Sequence, residues 1–385
     1  MRFNIVGAGP AGLYFAYLIK QQDVRHDVVV FEQNPSSVTW GFGVVFSDRA
    51  LEFLRDDDAR TCDYLSRHLE RWDDITVVHD RARVRIDGNG FGAIGRLHLL
   101  ELLASRAREA GVVIRYGSRI ENVDALADAD VVIGADGVNS VVRASREVEF
   151  GMEATCGSNR FIWYGTSKPF DTLTLTFRPT DEGVYCAHHY RYRPDMSTFL
   201  VEVAESTYNE AGFGDMDEDA AIARCGTVFA EDLGGHSIIS NRSFWRRFPV
   251  VTNRRWSTGN VVLLGDALRT VHFSIGSGTR LAMEDAIALA KAFGAAGGDV
   301  RAALESFESS RRPTTDKLLR AADASLGWYE KMDAHMSLSP YEFAHGYMTR
   351  TGRVSHEQLT RIAPRFMSRF RQIAADSASR IGEGE

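Results

Sequence analysis

A chain of 385 residues, 44% hydrophobic and 25% charged, is long enough to bury more than one core and has the make-up of a folded enzyme rather than a disordered or fibrous protein. Its net charge of −7 argues against nucleic-acid binding and leaves room for a local basic patch. No apolar run approaches the ~18 residues of a membrane span. The cysteines Cys62, Cys156, Cys186 and Cys225 are scattered without a C-x-x-C pair, which predicts reduced core thiols and no metal site. With an apolar strand starting at Phe3, the expectation is a cytoplasmic protein without a signal peptide.

The first strand, 3–6, runs into Gly7, Gly9 and Gly12, a G-x-G-x-x-G that opens a helix. In that spacing the first glycine permits a tight turn. The second lets a pyrophosphate approach the backbone, and the third lets helix pack on strand. The helix start adds free N–H groups and the positive end of its dipole. A second strand, 27–31, ends at Glu32, about twenty residues past Gly12, where a carboxylate can accept both hydroxyls of an adenosine ribose. The 40–47 stretch sets Gly41 and Gly43 among aromatics, as a close approach to a flat ligand or as a packed core loop. Residues 48–69 read as helix, and 75–78 and 83–86 as strands around a turn. Arg96 opens the next helix at the end where a cation does not offset the dipole, which points to an anionic ligand or to a solvated arginine. A buried strand at 112–116 follows, and then one at 130–134 that delivers Gly134-Ala135-Asp136-Gly137 to the edge of a parallel sheet.

From about residue 150 the pattern changes. Segments 161–166, 173–178, 183–192 and 197–203 alternate with a period of two, predicting an antiparallel sheet with one wet face and an apolar wall able to roof a pocket. Residues 220–233 read as helix. The strand 261–264 ends in Gly265-Asp266, and Gly276-Ser277-Gly278-Thr279 leads into a helix over 280–292. Helices broken by Pro313, Pro340 and Pro364 fill the rest.

The three motifs stand in order: Gly7-x-Gly9-x-x-Gly12 with Glu32, Gly134-Ala135-Asp136-Gly137 with Ser140 and Arg143, and Gly265-Asp266 with Gly276-x-Gly278. Together they resemble the flavoprotein aromatic hydroxylases of the p-hydroxybenzoate hydroxylase type. The resemblance implies an α/β fold: a Rossmann-like FAD-binding domain with an inserted antiparallel β-sheet substrate domain and a helical C-terminus. It divides the chain into FAD-binding parts at 1–70, 96–150 and 259–300, a small substrate-lobe hairpin at 71–95, the substrate sheet at 151–258 and C-terminal helices at 301–385. It implies FAD held by Gly7, Gly9, Ala11, Gly12, Glu32 and Gln33 at its ADP half, by Asp136 and Gly137 near the pyrophosphate, by Arg96 and Asp266 at phosphate or ribityl groups, and by Val44, Gly276, Gly278 and Thr279. NADH or NADPH would bind transiently, and dioxygen would react through a flavin C4a-hydroperoxide.

Where the wider family has a histidine and later a proline, Arg269 and Ser274 stand. The stretches 40–48 and 272–279 are similar to a narrower branch, which holds salicylyl-CoA 5-hydroxylases and the hydroxylase half of 2-aminobenzoyl-CoA monooxygenase/reductases. A violacein-pathway hydroxylase of an indole skeleton shares several of the same strings. The implied substrate is an aromatic acyl-CoA thioester, salicylyl-CoA going to gentisyl-CoA, or alternatively a free aromatic or indolic intermediate. A flavin reductase that makes no product is a third reading. The chain stops at Glu385 without the second domain of the 2-aminobenzoyl-CoA proteins, which predicts a simple hydroxylase, monomeric or homodimeric.

Candidate catalytic side chains are His272, on the loop before the flavin-contacting glycines, and His189. His188, Tyr190 and Ser274 are candidate substrate contacts. His188 and His189 are adjacent on a strand, so only one of them faces the pocket, and each histidine reads equally as a packing residue. Arg246 and Arg247, with Arg191, Arg193, Arg254 and Arg255, are candidates for the phosphates of coenzyme A or are solvated charges.

Overall fold

Valine- and isoleucine-rich runs build the first sheet of the computed structural model, which describes residues 1–382. Residues 383–385, the end of the expected helical C-terminus, lie outside the described residues. Among the described residues this sheet has six strands in the order Ser257–Thr258, Val261–Leu263, Val131–Gly134, Arg2–Val6, Asp27–Phe31 and Val113–Arg115. All neighbours run parallel except the first pair. Phe3, Ile5, Val28, Val30, Val131, Ile133 and Val262 are almost fully buried, as in a sheet covered on both faces. The helix Pro10–Gln22 packs against Gly278–Ala295 and Arg96–Glu109. The strand order reverses at Arg2–Val6, with later strands on either side of it, and the crevice at such a reversal is where open α/β sheets bind ligands.

Two local expectations change here. The strand at 113–115 is an edge, paired only with Asp27–Phe31 and with Val113 half exposed, so it is not a buried strand. The segment 48–69 is two helices, Asp48–Asp57 and Ala59–Ser66. Asp58 breaks them apart: its backbone is extended, and its side chain accepts the Thr61 N–H at 3.0 Å to cap the second helix.

The second sheet runs Ile238–Ile239, Met152–Thr166, Met196–Val203, Gly183–Arg193, Leu173–Thr180, Ile75–His79, Ala82–Ile86, with Arg246–Asn253 also paired to Met152–Thr166. Its pairings are antiparallel except where Leu173–Thr180 meets Ile75–His79. Phe91–Gly95 instead joins Gly43–Ser47 and Glu70–Trp72 in a third sheet. The segment 71–95 thus contributes to two sheets.

The middle strands of the large sheet are covered on both faces. Tyr185, Ala187, Phe199, Val201 and Val203 pack with Phe213, Ala221, Cys225 and Phe229 from the helical segment that follows. On the other face Val184 and Cys186 pack with Tyr329, Phe343 and Met367 from the C-terminal helices. Val300–Tyr329 passes through Pro313 without ending. A proline removes one helical hydrogen bond, but Leu304 and Phe307 before it and Leu318 and Tyr329 after it are each buried in a core, and that packing holds the helix. Pro340 and Pro364 begin helices, where a missing N–H costs nothing. Cys156 is exposed, unlike the other three cysteines, so the expectation of four core thiols fails at that position. No helix among the described residues is long and apolar enough to cross a membrane.

The last helix is anchored by a carboxylate from another element. Asp87, after the strand Ala82–Ile86, accepts the N–H of Phe366 at 2.9 Å and of Arg365 at 3.2 Å. Burial alone would raise its pKa, but these N–H groups outweigh burial and hold it below the usual carboxylate range. Asp87→Ala is expected to lower stability by about 1 kcal/mol, a cap's worth. Because the folded pKa is depressed, that contribution is full above about pH 4 and is lost as pH falls through the folded value. Urea titrations of both proteins at pH 7 and at pH 3 check this: the gap between them should shrink at pH 3.

Candidate active site

At the strand reversal two backbone turns meet without room for side chains. Gly7 has φ +103°, and a Cβ there would lie 2.3 Å from the Ala135 carbonyl oxygen. A Cβ on Gly12 would lie 2.1 Å from the Gly7 oxygen. Gly9 differs: a Cβ there meets nothing nearer than the Ala135 oxygen at 3.9 Å. Gly9 also caps the helix Pro10–Gln22 without any side-chain hydrogen bond, so the helix N-terminal N–H groups are left for a ligand. The Glu32 carboxylate accepts the Ala8 N–H at 2.9 Å and both the backbone and side-chain N–H groups of Asn34 at 2.8 Å, which orients it at the strand end and leaves lone pairs over. Gln33 is exposed.

The second motif is a brace. Asp136 accepts the Ser140 hydroxyl at 2.5 Å and the N–H groups of Val141 and Val142, so its carboxylate caps the next helix, and burial pushes its pKa up. Gly137, at φ +82°, has open space where a Cβ would stand. Arg143 donates to the Val138 oxygen at 2.5 Å and the Ala267 oxygen at 2.9 Å, tying the second motif to the third. Asp266 lies in that third motif and is solvent-exposed. Its surroundings push its pKa up, against the pull of Arg96 and Arg269. The Arg96 guanidinium is desolvated, which lowers its pKa, and makes no hydrogen bond or ion pair among the described residues. Arg246 feels Arg96 as a like charge. A desolvated guanidinium with no ion-pair partner favours an anionic ligand beside Arg96. The helix Gly278–Ala295 also begins uncapped by any side chain, with open space at Gly278 and with Gly276 at φ +58° beside Val45. Ala11 packs near Gly265, Val44 is buried in the adjoining strand, and Thr279 is half-buried in the helix's first turn.

A family model described as an FAD binding domain matches residues 2–322. The chain belongs to the FAD-binding aromatic monooxygenases. It is 38% identical over 361 residues to salicyloyl-CoA 5-hydroxylase of a Streptomyces species, spanning 91% of this chain and 70% of that one. It is 36% identical to 3-hydroxy-4-methyl-anthranilyl-[aryl-carrier protein] 5-monooxygenase of Streptosporangium sibiricum, over 93% and 97%. It is 35% identical to protodeoxyviolaceinate monooxygenase of Chromobacterium violaceum, over 91% and 94%. FAD fits the cradle: backbone space where side chains are excluded, two uncapped helix starts and an unpaired buried cation answer to a dinucleotide's phosphates and an electron-rich ring.

On the large sheet, strand parity sorts the histidines. His188 pairs across with Leu200 and His189 with Phe199. His189 therefore points into the helix-covered core: its ring lies 3.8 Å from that of Phe170, its Nε2 meets Thr176 at 3.0 Å, and burial drives its pKa well down. The structure does not bring it to His272, and a catalytic role for it is withdrawn. His188 faces the other way, 3.2 Å from Glu202 through Nε2, with its ring 5.3 Å from Phe273 and 5.0 Å from Tyr329. His272 is more enclosed than a freely reaching side chain would be. Phe273 and Phe248 pack on its ring at 4.1 and 4.8 Å, and burial lowers its pKa to about 4, with Glu202 opposing. Its Nδ1 is 2.7 Å from the Ser274 hydroxyl, which is 2.8 Å from that of Ser325. The Tyr190 hydroxyl donates to the Gly43 oxygen at 2.9 Å.

The basic candidates scatter. Arg247 pairs with Glu205, Arg191 with Glu70 and Arg193 with Asp195. Arg254 and Arg255 lie at the far end of the strand that Arg246 begins. Arg269, in the place of the family's histidine, pairs with Asp285 at 2.7 Å and so ties the turn after Asp266 to the helix Gly278–Ala295. Glu202 was not foreseen. It is buried, accepts the Asn159 amide at 2.8 Å, and is held below the usual range because His188, His272 and Asn159 outweigh the burial that would raise it. The signal was a lone acid in an apolar strand, Ser197-Thr198-Phe199-Leu200-Val201-Glu202-Val203.

The cradle predicts a contrast between two glycines. Gly9→Ala should fold with an unchanged melting temperature yet purify with little FAD, because the methyl meets only ligand space. Gly7→Ala should fail to accumulate as folded protein, since its methyl overlaps backbone. Flavin absorbance per protein, read with circular dichroism, checks both.

Proposed function

We propose that this monooxygenase acts on an aryl thioester of coenzyme A, hydroxylating salicylyl-CoA at position 5. Salicylyl-CoA, dioxygen, NAD(P)H and a proton give gentisyl-CoA, NAD(P)+ and water. The observation that carries this reading is the 38% identity, over 91% of the chain, to a salicyloyl-CoA 5-hydroxylase. The aryl-carrier-protein relative, by its name, also acts on a tethered aromatic acyl group. A second reading, a free indolic substrate, is favoured by the 35% identity to protodeoxyviolaceinate monooxygenase.

When bound, FAD supplies hydride acceptance from the nicotinamide and oxygen-atom transfer to an electron-rich ring carbon. The rest falls to this chain's side chains. A salicylyl 2-hydroxyl activates its para carbon, position 5, and the thioester is meta to that carbon, so it does not cancel the activation. A phenol bound beside His188 passes its proton toward the imidazole, and Glu202, ionised and buried, balances the resulting charge. His272, neutral at pH 7, positions the loop leading to Gly276 through Ser274. The apolar walls of Phe248 and Phe273 exclude water.

Stopped-flow flavin reduction by NADH separates the readings. Salicylyl-CoA should accelerate it, with salicylate far less effective. No stimulation by the thioester, with stimulation by an indolic acid, would replace the first reading with the second. His188→Gln and Glu202→Gln should each lower kcat by about 10²-fold and raise the share of NADH oxidised without hydroxylated product, with FAD still bound. Full coupling in both variants would remove these residues from the reaction.

A further inference from the structure

The loop before the strand Arg246–Asn253 carries a feature that neither the flavin cradle nor the hydroxylation chemistry uses. Trp40 is 47% exposed and Phe244 is 62% exposed, and each carries an arginine on its ring. The Arg242 guanidinium lies 5.2 Å from the Trp40 ring centre, and that of Arg246 lies 5.2 Å from Phe244 and 5.1 Å from Phe161. Neither arginine has an ion-pair or hydrogen-bond partner among the described residues, whereas the adjacent Arg247 is taken by Glu205. Arg242 sits at φ +54°, a conformation that costs a side-chain-bearing residue about 1 kcal/mol or more and persists only where surroundings enforce it. Here the Asn241 amide, bonded to the Thr39 and Gly41 oxygens at 3.2 and 3.1 Å, and the Ser243 hydroxyl, bonded to the Trp163 oxygen, hold the loop against the Trp40 segment. The strain keeps a cation on an exposed indole face.

This patch connects inward. Phe161, under Arg246, is 4.8 Å from Phe273, and Phe273 touches both His188 and His272. A line of contacts thus leads from exposed Phe244 through the Arg246 guanidinium, Phe161 and Phe273 to His188 and His272, the arrangement an elongated ligand needs when one end is anionic and aromatic and the other is an aryl group.

We propose that Trp40, Arg242, Phe244 and Arg246 bind the adenosine-phosphate end of the coenzyme A thioester, with the pantetheine arm running along Phe161 toward His188 and His272. This rests on the thioester reading of the function. Flat aromatic faces stack an adenine, and unpaired guanidinium forks take phosphates bidentately. An acidic carrier protein is disfavoured as the occupant, because the chain carries a net charge of −7 and repels it overall. NADH carries the same adenine and diphosphate, so the test must separate the two nucleotides.

Trp40→Ala/Arg242→Glu and Phe244→Ala are made in the holoenzyme, with FAD absorbance confirming the fold. The specificity ratio, kcat/KM for salicylyl-CoA over that for the N-acetylcysteamine thioester of salicylate, should fall at least tenfold. Calorimetric binding of free coenzyme A should weaken in parallel. An unchanged ratio overturns the proposal, as does a rise in KM for NADH in its place, or a loss confined to an aryl group borne on a carrier protein. Should wild type hydroxylate neither thioester yet bind free coenzyme A in a manner that Trp40→Ala/Arg242→Glu abolishes, the reaction reading falls and the nucleotide site stands. Should wild type not bind coenzyme A at all, the site falls.

Discussion

The close approach of the Gly7 turn to the Ala135 carbonyl is the constraint on which the molecule's organisation depends. The strand Arg2–Val6 and its parallel neighbour Val131–Gly134 end side by side, and the turns that follow them meet at a distance that admits backbone but no Cβ. Closing that gap with side chains would push Val131–Gly134 away and, with it, the turn at Gly265, because Leu264 donates to the Gly134 oxygen at 2.8 Å and Arg143 clamps the Ala267 oxygen. One steric fact thus holds three widely separated chain segments in one cradle, and the glycines mark where the backbone itself is the binding surface.

Around the cradle the charges follow a consistent logic. Where a charge serves the scaffold it is paired: Arg269 with Asp285, Arg311 with Asp285 and Glu284, Arg280 with Glu284 at 2.5 Å. Breaking any one of these buried pairs would strand a charge in a low-dielectric interior, which is costly. Where a charge faces the cleft it is left without a protein partner, as with Arg96, or is pulled by cations only at a distance, as with Asp266. A desolvated group without a partner is unfavourable in the free protein and becomes favourable when a ligand supplies the counter-charge.

What the sequence disclosed and what it hid divide along one line. Gly7, Gly9, Gly12, Glu32 and Gly265-Asp266 were legible because local backbone geometry demands those residue types at those spacings. The break at Asp58 lay hidden because Asp57-Asp58 reads as the polar side of one helix, and a cap is a matter of one dihedral angle. His188 and His189 could be assigned to opposite faces by parity, but not to a pocket, because the middle strands of the large sheet are covered on both sides. The covering layer on the His188 side comes from Tyr329 and its neighbours, more than a hundred residues along the chain. Glu202 stayed hidden for the same reason: an acid alternating with apolar residues reads as solvent-facing until something distant buries it.

The C-terminal helices therefore cover the His188 face of the large sheet and are not an appendage. Arg350 donates to the Ser325 hydroxyl at 2.9 Å and to the Ser274 carbonyl at 2.8 Å, while stacking 3.9 Å over the Tyr347 ring. Ser325 bonds Ser274, and Ser274 bonds His272. The chain of contacts runs from the Pro340–Thr349 region, through the long helix Val300–Tyr329, into the loop that ends at Gly276. A guanidinium pinned by stacking and three hydrogen bonds loses little further entropy by holding that loop, so the loop's shape is set before any ligand arrives. Preorganisation of this kind gives a reason for the helix to continue through Pro313: Ser325 near its far end reaches Ser274, and a break at residue 313 would release the loop that ends at Gly276 and carries His272.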